Sequence, residues 1–438
     1  MLGNPPWIKV RFDEPGVLGE IEPILYDRGS SAPDVGQQRV AVLRRPGALE
    51  AYLSEYEEAI GRQSFFNAKQ NYPLLQGIQT NLYKCFLPVM WRNGRSGGVS
   101  AVLHEEGVYD DPNGGILRAA IYQRLNAHFQ FINEKKLFAE PDHHTKFSIN
   151  IYSNTPANEI KFDHISNLFL PSTVEACYDH SGEGSLPGIK KDDGDWETRA
   201  HRDRVVQVSE GLLETFARLY DELGTPAAQA RLAAVHSRQI ATVCAKLGAA
   251  SHHLGDLGPE ILFVDGWHET GRINDGGIRR HTDFPEIGRK AILSGPHFFV
   301  GNPFYKTARR ICRLNSDYDV VDPEALCENY LPRFNYVPAC DLDKYAARIP
   351  KPLWSTGPVT DFCKLAFRRR LSISLERTLI SAIAPPGVAH INTVVSLGAS
   401  TSNMLANLAA LTHALTSDFY LRSTGREDLY WETLGKFP

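Results

Sequence analysis

Helical and strand patterns alternate through the first 155 residues, and this alternation constrains the fold more than any other feature of the chain. Apolar residues recur at helical spacing over residues 48–68, and a second apolar helix is expected over residues 81–91. Short apolar strands are expected in three places: residues 99–103, 128–132 and 147–152. Alternating elements of this kind predict an α/β sheet.

Two consecutive prolines stand near the start of the chain, in the sequence Asn4-Pro5-Pro6-Trp7. Proline fixes its own φ angle and has no backbone donor, so the loop is a rigid row of acceptors that includes the Asn4 side chain and the Pro5 carbonyl. Two such acceptors can bind both hydrogens of an exocyclic amino group, and Trp7 offers a flat face to an extruded base. This arrangement suits catalysis by positioning and preorganised dipoles. The same residue types also form plain stiff turns.

Several segments occur in the order found in N6-adenine DNA methyltransferases of the gamma-order group. Residues 2–8 resemble the catalytic motif of that family, and Asn81-Leu82-Tyr83-Lys84-Cys85-Phe86 resembles its helix motif Asn-Leu-Tyr-x-x-Phe. Residues 138–152 resemble the segment whose aromatic residue holds the adenine from its far side. The chain is thus similar to type IIG restriction–methylation enzymes and to the large adenine methylases of phage-defence systems.

The resemblance implies a role for each residue of the proline-containing loop. Asn4 and Pro5 would bind the target amino group and Trp7 would stack on the adenine, so the catalytic residues would be Asn4, Pro5, Pro6 and Trp7. Phe138 would be the second stacking residue. Because residues 139–145 are an insertion, His143 or His144 are alternatives for that position.

The resemblance also implies an activity, which is site-specific adenine-N6 methylation of double-stranded DNA in a restriction–modification or phage-defence system. The methyl donor would be S-adenosylmethionine. In this family a strand and a glycine-rich turn that bind the donor precede the catalytic loop, whereas only three residues precede it here. The best internal substitute, residues 396–401, has one glycine and no preceding acidic residue, and we reject it.

We therefore expect three regions. Residues 1–155 would form a partial class I (Rossmann-like) methyltransferase sheet that lacks its cofactor-binding strands. Two explanations stay open: a separate N-terminal cofactor-binding polypeptide completes the sheet, or the chain is the incomplete product of a broken or misassigned reading frame and is inactive alone. Residues 156–255 would form a helical spacer, with helices over residues 204–223 and 225–247. Residues 256–438 would form an α+β target-recognition domain.

Basic clusters in the third region are candidate DNA phosphate contacts. They are Arg279, Arg280 and His281; Lys306, Arg309 and Arg310; and Arg368, Arg369 and Arg370. A solvated charged face explains any one cluster equally well. The formal net charge of −4 provides no global basic field, so DNA binding would depend on such local patches.

The seven cysteines exclude several function classes. None forms a C-x-x-C pair, which argues against a zinc site and a disulfide framework, so we expect no metal and a cytoplasmic location. None follows a proline, which disfavours cytosine C5 methylation.

A catalytically inactive DNA-binding specificity module remains the alternative function. Methylation of RNA or of a protein glutamine is a third, and the long recognition-like region argues against it.

Overall fold

The computed structural model describes residues 1–26, 32–284, 291–328, 330–372 and 375–438. The chain divides into two compact units, residues 1–245 and residues 246–438, and both mix helices with strands. Among the helices described, none combines the length and the apolar character that a bilayer crossing requires.

The first unit is built on a six-stranded mixed sheet. Its strands are β1 (Leu2–Gly3), β2 (Val99–Glu105), β3 (Leu125–Ile132), β4 (Lys146–Ser153), β5 (Lys161–Leu168) and β6 (Val206–Ser209). They lie in the order β1-β2-β4-β3-β5-β6. Pairing is parallel between β1 and β2 and between β3 and β5, whereas β4 and β6 run antiparallel to their neighbours. Four strands therefore share one direction, and we call the end where they finish the carboxyl end of the sheet.

Nine helices accompany this sheet in the described part of the chain. They are α1 (Glu14–Ile21), α2 (Ala32–Leu43), α3 (Ala48–Asn67), α4 (Leu82–Asn93), α5 (Gly107–Asp110), α6 (Gly115–Tyr122), α7 (Ser172–Asp179), α8 (Glu210–Tyr220) and α9 (Arg238–Gly248), which crosses the division between the units. The helices expected over residues 48–68 and 81–91 are present as α3 and α4. Pro88 does not end α4, which continues for five more residues.

The two faces of the sheet differ in chemistry because side chains alternate along each strand. One face carries buried polar groups, among them His104, His128, Asn150 and His164. The opposite face is apolar and forms a core around Phe131, Phe147, Ile165 and Leu168. Polar side chains on a buried face must find partners within the protein, so the polar face holds a hydrogen-bonded network.

Residues 156–245 are not a separate helical spacer in this structure. Strand β5 pairs with β3 and strand β6 pairs with β5, so this stretch completes the sheet of the first unit. The helix expected over residues 204–223 is shorter and begins after β6, where the Ser209 hydroxyl accepts a hydrogen bond from the Leu212 amide at 3.4 Å.

The helix expected over residues 225–247 forms only in its second half, as α9. Residues 230–236 have no regular secondary structure. Several backbone groups of this segment bond to residues of other elements instead. The Tyr122 hydroxyl donates to the Ala230 carbonyl at 2.8 Å, and the Leu232 amide donates to the Tyr109 carbonyl at 3.2 Å. These long-range bonds outweigh the local helix propensity of residues 225–237, since propensity is a weak prior.

The second unit contains ten short strands and five complete helices among its described residues. The strands are β7 (Ile261–Val264), β8 (Ile278–Asp283), β9 (Ala291–Leu293), β10 (Lys306–Ala308), β11 (Tyr318–Val320), β12 (Phe334–Pro338), β13 (Lys364–Arg368), β14 (Ser381–Ala384), β15 (Val388–His390) and β16 (Val394–Ala399). The helices of eight or more residues are α12 (Ser402–His413) and α13 (Leu415–Ser423), and the shorter ones are α10 (Glu269–Asn274), α11 (Leu342–Ala347) and α14 (Trp431–Leu434), the last a single turn.

The main sheet of this unit has the order β14-β13-β16-β7 and is antiparallel throughout. Three two-stranded pairs, β8 with β12, β9 with β15 and β10 with β11, make up the other pairings among the described strands. The buried core of the unit includes Phe298, Phe334 and Val394.

Candidate active site

The proline loop, residues 4–7, follows β1 at the carboxyl end of the first sheet. Ligands of open α/β sheets bind at this end of the strands. The segment just after the loop is fixed to the start of α4, because the Leu82 amide donates to the Ile8 carbonyl at 2.9 Å and the Val10 amide donates to the Thr80 carbonyl at 3.1 Å. The loop is therefore held at both ends.

The loop presents its first residue to solvent. Asn4 is exposed and its side chain makes no hydrogen bond to any described residue, whereas Pro5 is buried beside it. A rigid proline after an exposed amide fixes the backbone while it leaves the amide accessible. The Asn4 carboxamide is thus available to an incoming ligand.

Trp7 is half-buried at the border of the apolar core. Its ring centroid lies 5.6 Å from that of Phe138, edge-on at 63°, and 5.9 Å from that of Phe147 at 30°. The indole Nε1 is buried and has no hydrogen-bond partner among the described residues. An unpaired buried donor costs about 1–3 kcal/mol, so this indole N–H requires an explanation.

The rings of Trp7 and Phe138, which the family resemblance assigns to opposite faces of an adenine, lie side by side in the structure. Phe138 contacts both Trp7 and Phe147, and its ring meets that of Phe147 at 5.0 Å and 87°. A base stacked between two rings needs them parallel and about 7 Å apart, twice the spacing of stacked bases. Trp7 and Phe138 touch edge-on instead, so no base fits between the two rings in this structure.

His143 and His144, the alternatives to Phe138, lie elsewhere. Both are exposed, and their rings face each other with centroids 3.8 Å apart. The His144 Nδ1 lies 3.1 Å from the Glu134 carboxylate. The described ring neighbours of Trp7 are the two phenylalanines, so the geometry favours Phe138 over either histidine as the second aromatic residue.

A buried charged network lies on the polar face of the sheet, beginning at the residue after β2. Glu106 accepts hydrogen bonds from the Gln130 amide at 2.8 Å and from His128 Nε2 at 3.0 Å. The other nitrogen of His128, Nδ1, lies 2.8 Å from Nδ1 of His164. Burial alone would raise the pKa of Glu106, but the charge and hydrogen bonds of His128, with bonds from Ser148 and Gln130, lower it to about 2.

The neighbouring histidines are held neutral. Burial lowers the pKa of His104 to about 4, and burial together with the charge of His128 lowers the pKa of His164 to about 3. The His164 Nε2 atom has no hydrogen-bond partner among the described residues. Sequence reasoning missed this network because its members come from strands distant in the chain. The available signal was a single buried-face histidine in each of β2, β3 and β5, namely His104, His128 and His164.

The cluster at residues 368–370 is largely engaged within the second unit. Arg369 pairs with Asp265 at 3.3 Å and stacks on the Tyr430 ring at 4.5 Å. Arg370 pairs with Glu427 at 2.9 Å. Arg368 is half-buried in β13, and burial lowers its pKa. These three cations therefore do not form an unpaired basic patch.

The other two clusters contain both paired and unpaired cations. The paired members contact carboxylates: Arg280 with Glu269 at 2.6 Å, Arg309 with Asp319 at 2.8 Å and His281 with Asp283 at 3.6 Å. Lys306 lies 5.8 Å from the Tyr305 ring centroid. Arg279 and Arg310 are exposed and form no ion pair within the described ranges. Unpaired exposed guanidinium groups are the better candidates for phosphate contacts.

For the DNA binding that the sequence analysis expects, this difference predicts a change in salt dependence. The double variant Arg279→Ala/Arg310→Ala should reduce the slope of log affinity against log salt by about 1 for each phosphate that the protein no longer neutralises. The matched variant Arg369→Ala/Arg370→Ala should change the slope less, because those side chains already have carboxylate partners. Fluorescence anisotropy of a labelled duplex at several salt concentrations measures both. Equal slopes for the first variant and the parent chain would exclude Arg279 and Arg310 as phosphate contacts.

No protein-family model matches this chain, and no curated protein matches it. Among solved structures, it is similar to the type IIL restriction–modification enzyme MmeI in complex with DNA, with a TM-score of 0.31, 9% identity and coverage of 94% of this chain and 42% of that one. It is also similar to the type IIG restriction endonuclease BpuSI, with a TM-score of 0.31, 10% identity and coverage of 86% and 44%. The chain spans less than half the length of either enzyme. Similarity at this level does not establish a function.

Proposed function

We propose that the first unit is the target-base half of a DNA adenine-N6 methyltransferase, and that the second unit recognises the DNA. The observation that carries this proposal is the proline loop at the carboxyl end of a sheet whose first two strands are parallel. There the exposed Asn4 amide stands three residues before the Trp7 ring, whose buried Nε1 lacks a partner among the described residues. A restriction–modification or phage-defence system in the cytoplasm is the proposed setting.

Each group in the loop has a role in this proposal. The Asn4 side-chain oxygen and the Pro5 carbonyl accept the two hydrogens of the adenine amino group. Accepting both draws the nitrogen lone pair out of conjugation with the ring, so the nitrogen becomes a better nucleophile. The Trp7 face holds the extruded base by stacking. Because the acceptors are fixed by proline, little reorganisation is needed when charge develops.

The described residues do not fit the methyl donor. S-adenosylmethionine would supply the methyl group, and a dinucleotide-type fold binds such a group with a glycine-rich turn between a parallel strand and a helix. None of the described strands that has a parallel neighbour is followed by a turn with two glycines. In this proposal the donor site therefore lies outside the described residues.

The segment at residues 396–401 supports this conclusion. It lies in and just after β16, the strand between β13 and β7, which is antiparallel to both. Gly398 is there for packing, since a Cβ at this position would lie 2.9 Å from the Val359 side chain.

Binding to mismatched DNA tests the base-holding role with this chain alone. An unpaired adenine costs least to extrude, so the chain should bind a duplex with one mismatched adenine about tenfold more tightly than the matched duplex. The preference should disappear in Trp7→Ala and persist in Trp7→Phe, which keeps an aromatic face. Anisotropy titrations of both duplexes measure the ratio.

The alternative, a DNA-binding specificity module without a base-holding site, predicts a different result. Such a module would bind both duplexes equally, and Trp7→Ala would leave the ratio unchanged. Circular dichroism of Trp7→Ala is the folding control, because Trp7 also packs on Phe147. Equal affinity of the parent chain for the two duplexes would contradict the proposal.

A further inference from the structure

The loop between β3 and β4 gathers three metal-ligating side chains that the sequence does not place together. Glu134 follows β3, whereas His143 and His144 precede β4. One ligand atom from each lies within 4.8 Å of the others. The carboxylate is partly sheltered, with 12% of the Glu134 side chain exposed, and both imidazoles face solvent.

The buried Asn133 organises the loop that presents this cluster. Its side-chain oxygen accepts a hydrogen bond from the Phe138 amide at 3.0 Å, and its Nδ2 donates to the carbonyls of Phe138 and Pro141 at 2.9 and 3.1 Å. The Asp142 side chain accepts from the His144 amide at 2.8 Å. Because these bonds fix the backbone at both ends of the cluster, only side-chain rotation is needed to bring the three ligand atoms closer.

The ligand chemistry selects the class of cation. Two imidazoles with one carboxylate suit zinc and other late divalent transition metals, whereas magnesium and calcium prefer oxygen ligands. Zinc bonds of about 2.0–2.2 Å to tetrahedral ligands place the ligand atoms about 3.4 Å apart. The widest pair of ligand atoms therefore needs to approach by at most about 1.4 Å, which rotation of exposed side chains can provide.

We propose that Glu134, His143 and His144 bind one zinc-class divalent ion, with the remaining coordination position open to water. The site has the ligand count of zinc centres that keep an open position. It also lies on the loop that carries Phe138, so a bound ion would fasten that loop. Metal binding itself does not depend on the proposed function of the proline loop.

Calorimetric titration with zinc tests the site. The background chain should be Cys327→Ser/Cys363→Ser, because these exposed thiols are competing zinc ligands. After removal of metal with a chelator, this chain should bind one zinc ion with micromolar or tighter affinity. The zinc affinity should fall about 100-fold or more in each of the single variants His143→Ala, His144→Ala and Glu134→Gln. Loss of a residue that only supports a ligand already costs about 10- to 100-fold in metal affinity, and loss of the ligand itself should cost at least as much.

The control is His281→Ala, which removes an exposed histidine that lies beside one carboxylate, Asp283, and should leave zinc affinity unchanged. Thermal unfolding without metal checks that the variants fold like the background chain. Zinc should raise the unfolding temperature of the background chain and of His281→Ala alone, because a ligand stabilises only the state that binds it. Unchanged one-to-one binding in the double variant His143→Ala/His144→Ala would overturn the proposal, as would no zinc binding by the background chain.

Discussion

Replacement of Asn4 by alanine should lower methyl transfer about 100- to 1000-fold, the range found when one preorganised polar group of an active site is removed. The affinity for DNA should stay unchanged, because Asn4 is exposed and makes no hydrogen bond to any described residue. The assay is methyl incorporation into DNA by the chain combined with a cofactor-binding polypeptide.

Two matched variants make this result specific. Asn4→Asp keeps an oxygen acceptor at the same position and should retain more activity than Asn4→Ala. Asn126→Ala removes another exposed asparagine, which pairs with Ser153 at 3.0 Å, and should behave like the parent chain. If Asn4→Ala lost DNA binding together with activity, Asn4 would hold the loop together instead of binding the base.

The strands around the proline loop could be predicted from sequence because their apolar patterns are local. The roles of the four loop residues stay predictions. The expected strand over residues 147–152 is found as β4 with one more residue at each end. Phe138 lies beside Trp7. Trp7 follows β1 and Phe138 follows β3, and both strands finish at the carboxyl end of the sheet.

Features that depend on long-range hydrogen bonds could not be predicted in this way. Residues 230–236 lack a helix because distant residues such as Tyr109 and Tyr122 bond their backbone. The sequence shows where the basic clusters are but not which of their cations are already paired with carboxylates. The carboxylate partners of Arg369 and Arg370 lie more than 50 residues away in the chain. Local pattern gives no information on such contacts, because it reports periodicity and not tertiary partners.

Replacement of Glu106 by alanine should destabilise the first unit by about 3–5 kcal/mol, the cost of breaking a buried pair by removing one partner. The variant leaves His128 and the Gln130 amide without their shared acceptor in a buried site. Glu55→Ala on the exposed side of α3 is the control and should change stability by less than about 0.5 kcal/mol. Hydrogen exchange of β3 and β4 in increasing urea reports the first unit separately from the second.

The charge state of Glu106 can be identified from pH dependence. The quantity to follow is the difference in unfolding free energy between the parent chain and Glu106→Ala. A carboxyl group with a folded-state pKa of about 2, below its ordinary value, contributes stability above the ordinary value and loses it as the pH falls towards 2. The difference between parent and variant should therefore not decrease from pH 7 to about pH 5. A difference that shrinks within this range would mean that Glu106 is already gaining a proton, and the charged network would then be wrong.

The buried histidines should act on both proteins in parallel over the same range. His104 and His164 have pKa values lowered to about 4 and about 3, so the unfolded chain binds more protons than the folded one below about pH 6.5. The neutral histidines therefore do not reduce the stability of the folded state above about pH 6.5. Stability is lost as the pH falls below this value towards 4 for His104 and 3 for His164. Both urea midpoints should therefore fall together with acid while the gap between them persists. This separates the two kinds of buried group, because the neutral histidines set the acid sensitivity of both proteins and Glu106 sets the difference in stability between them.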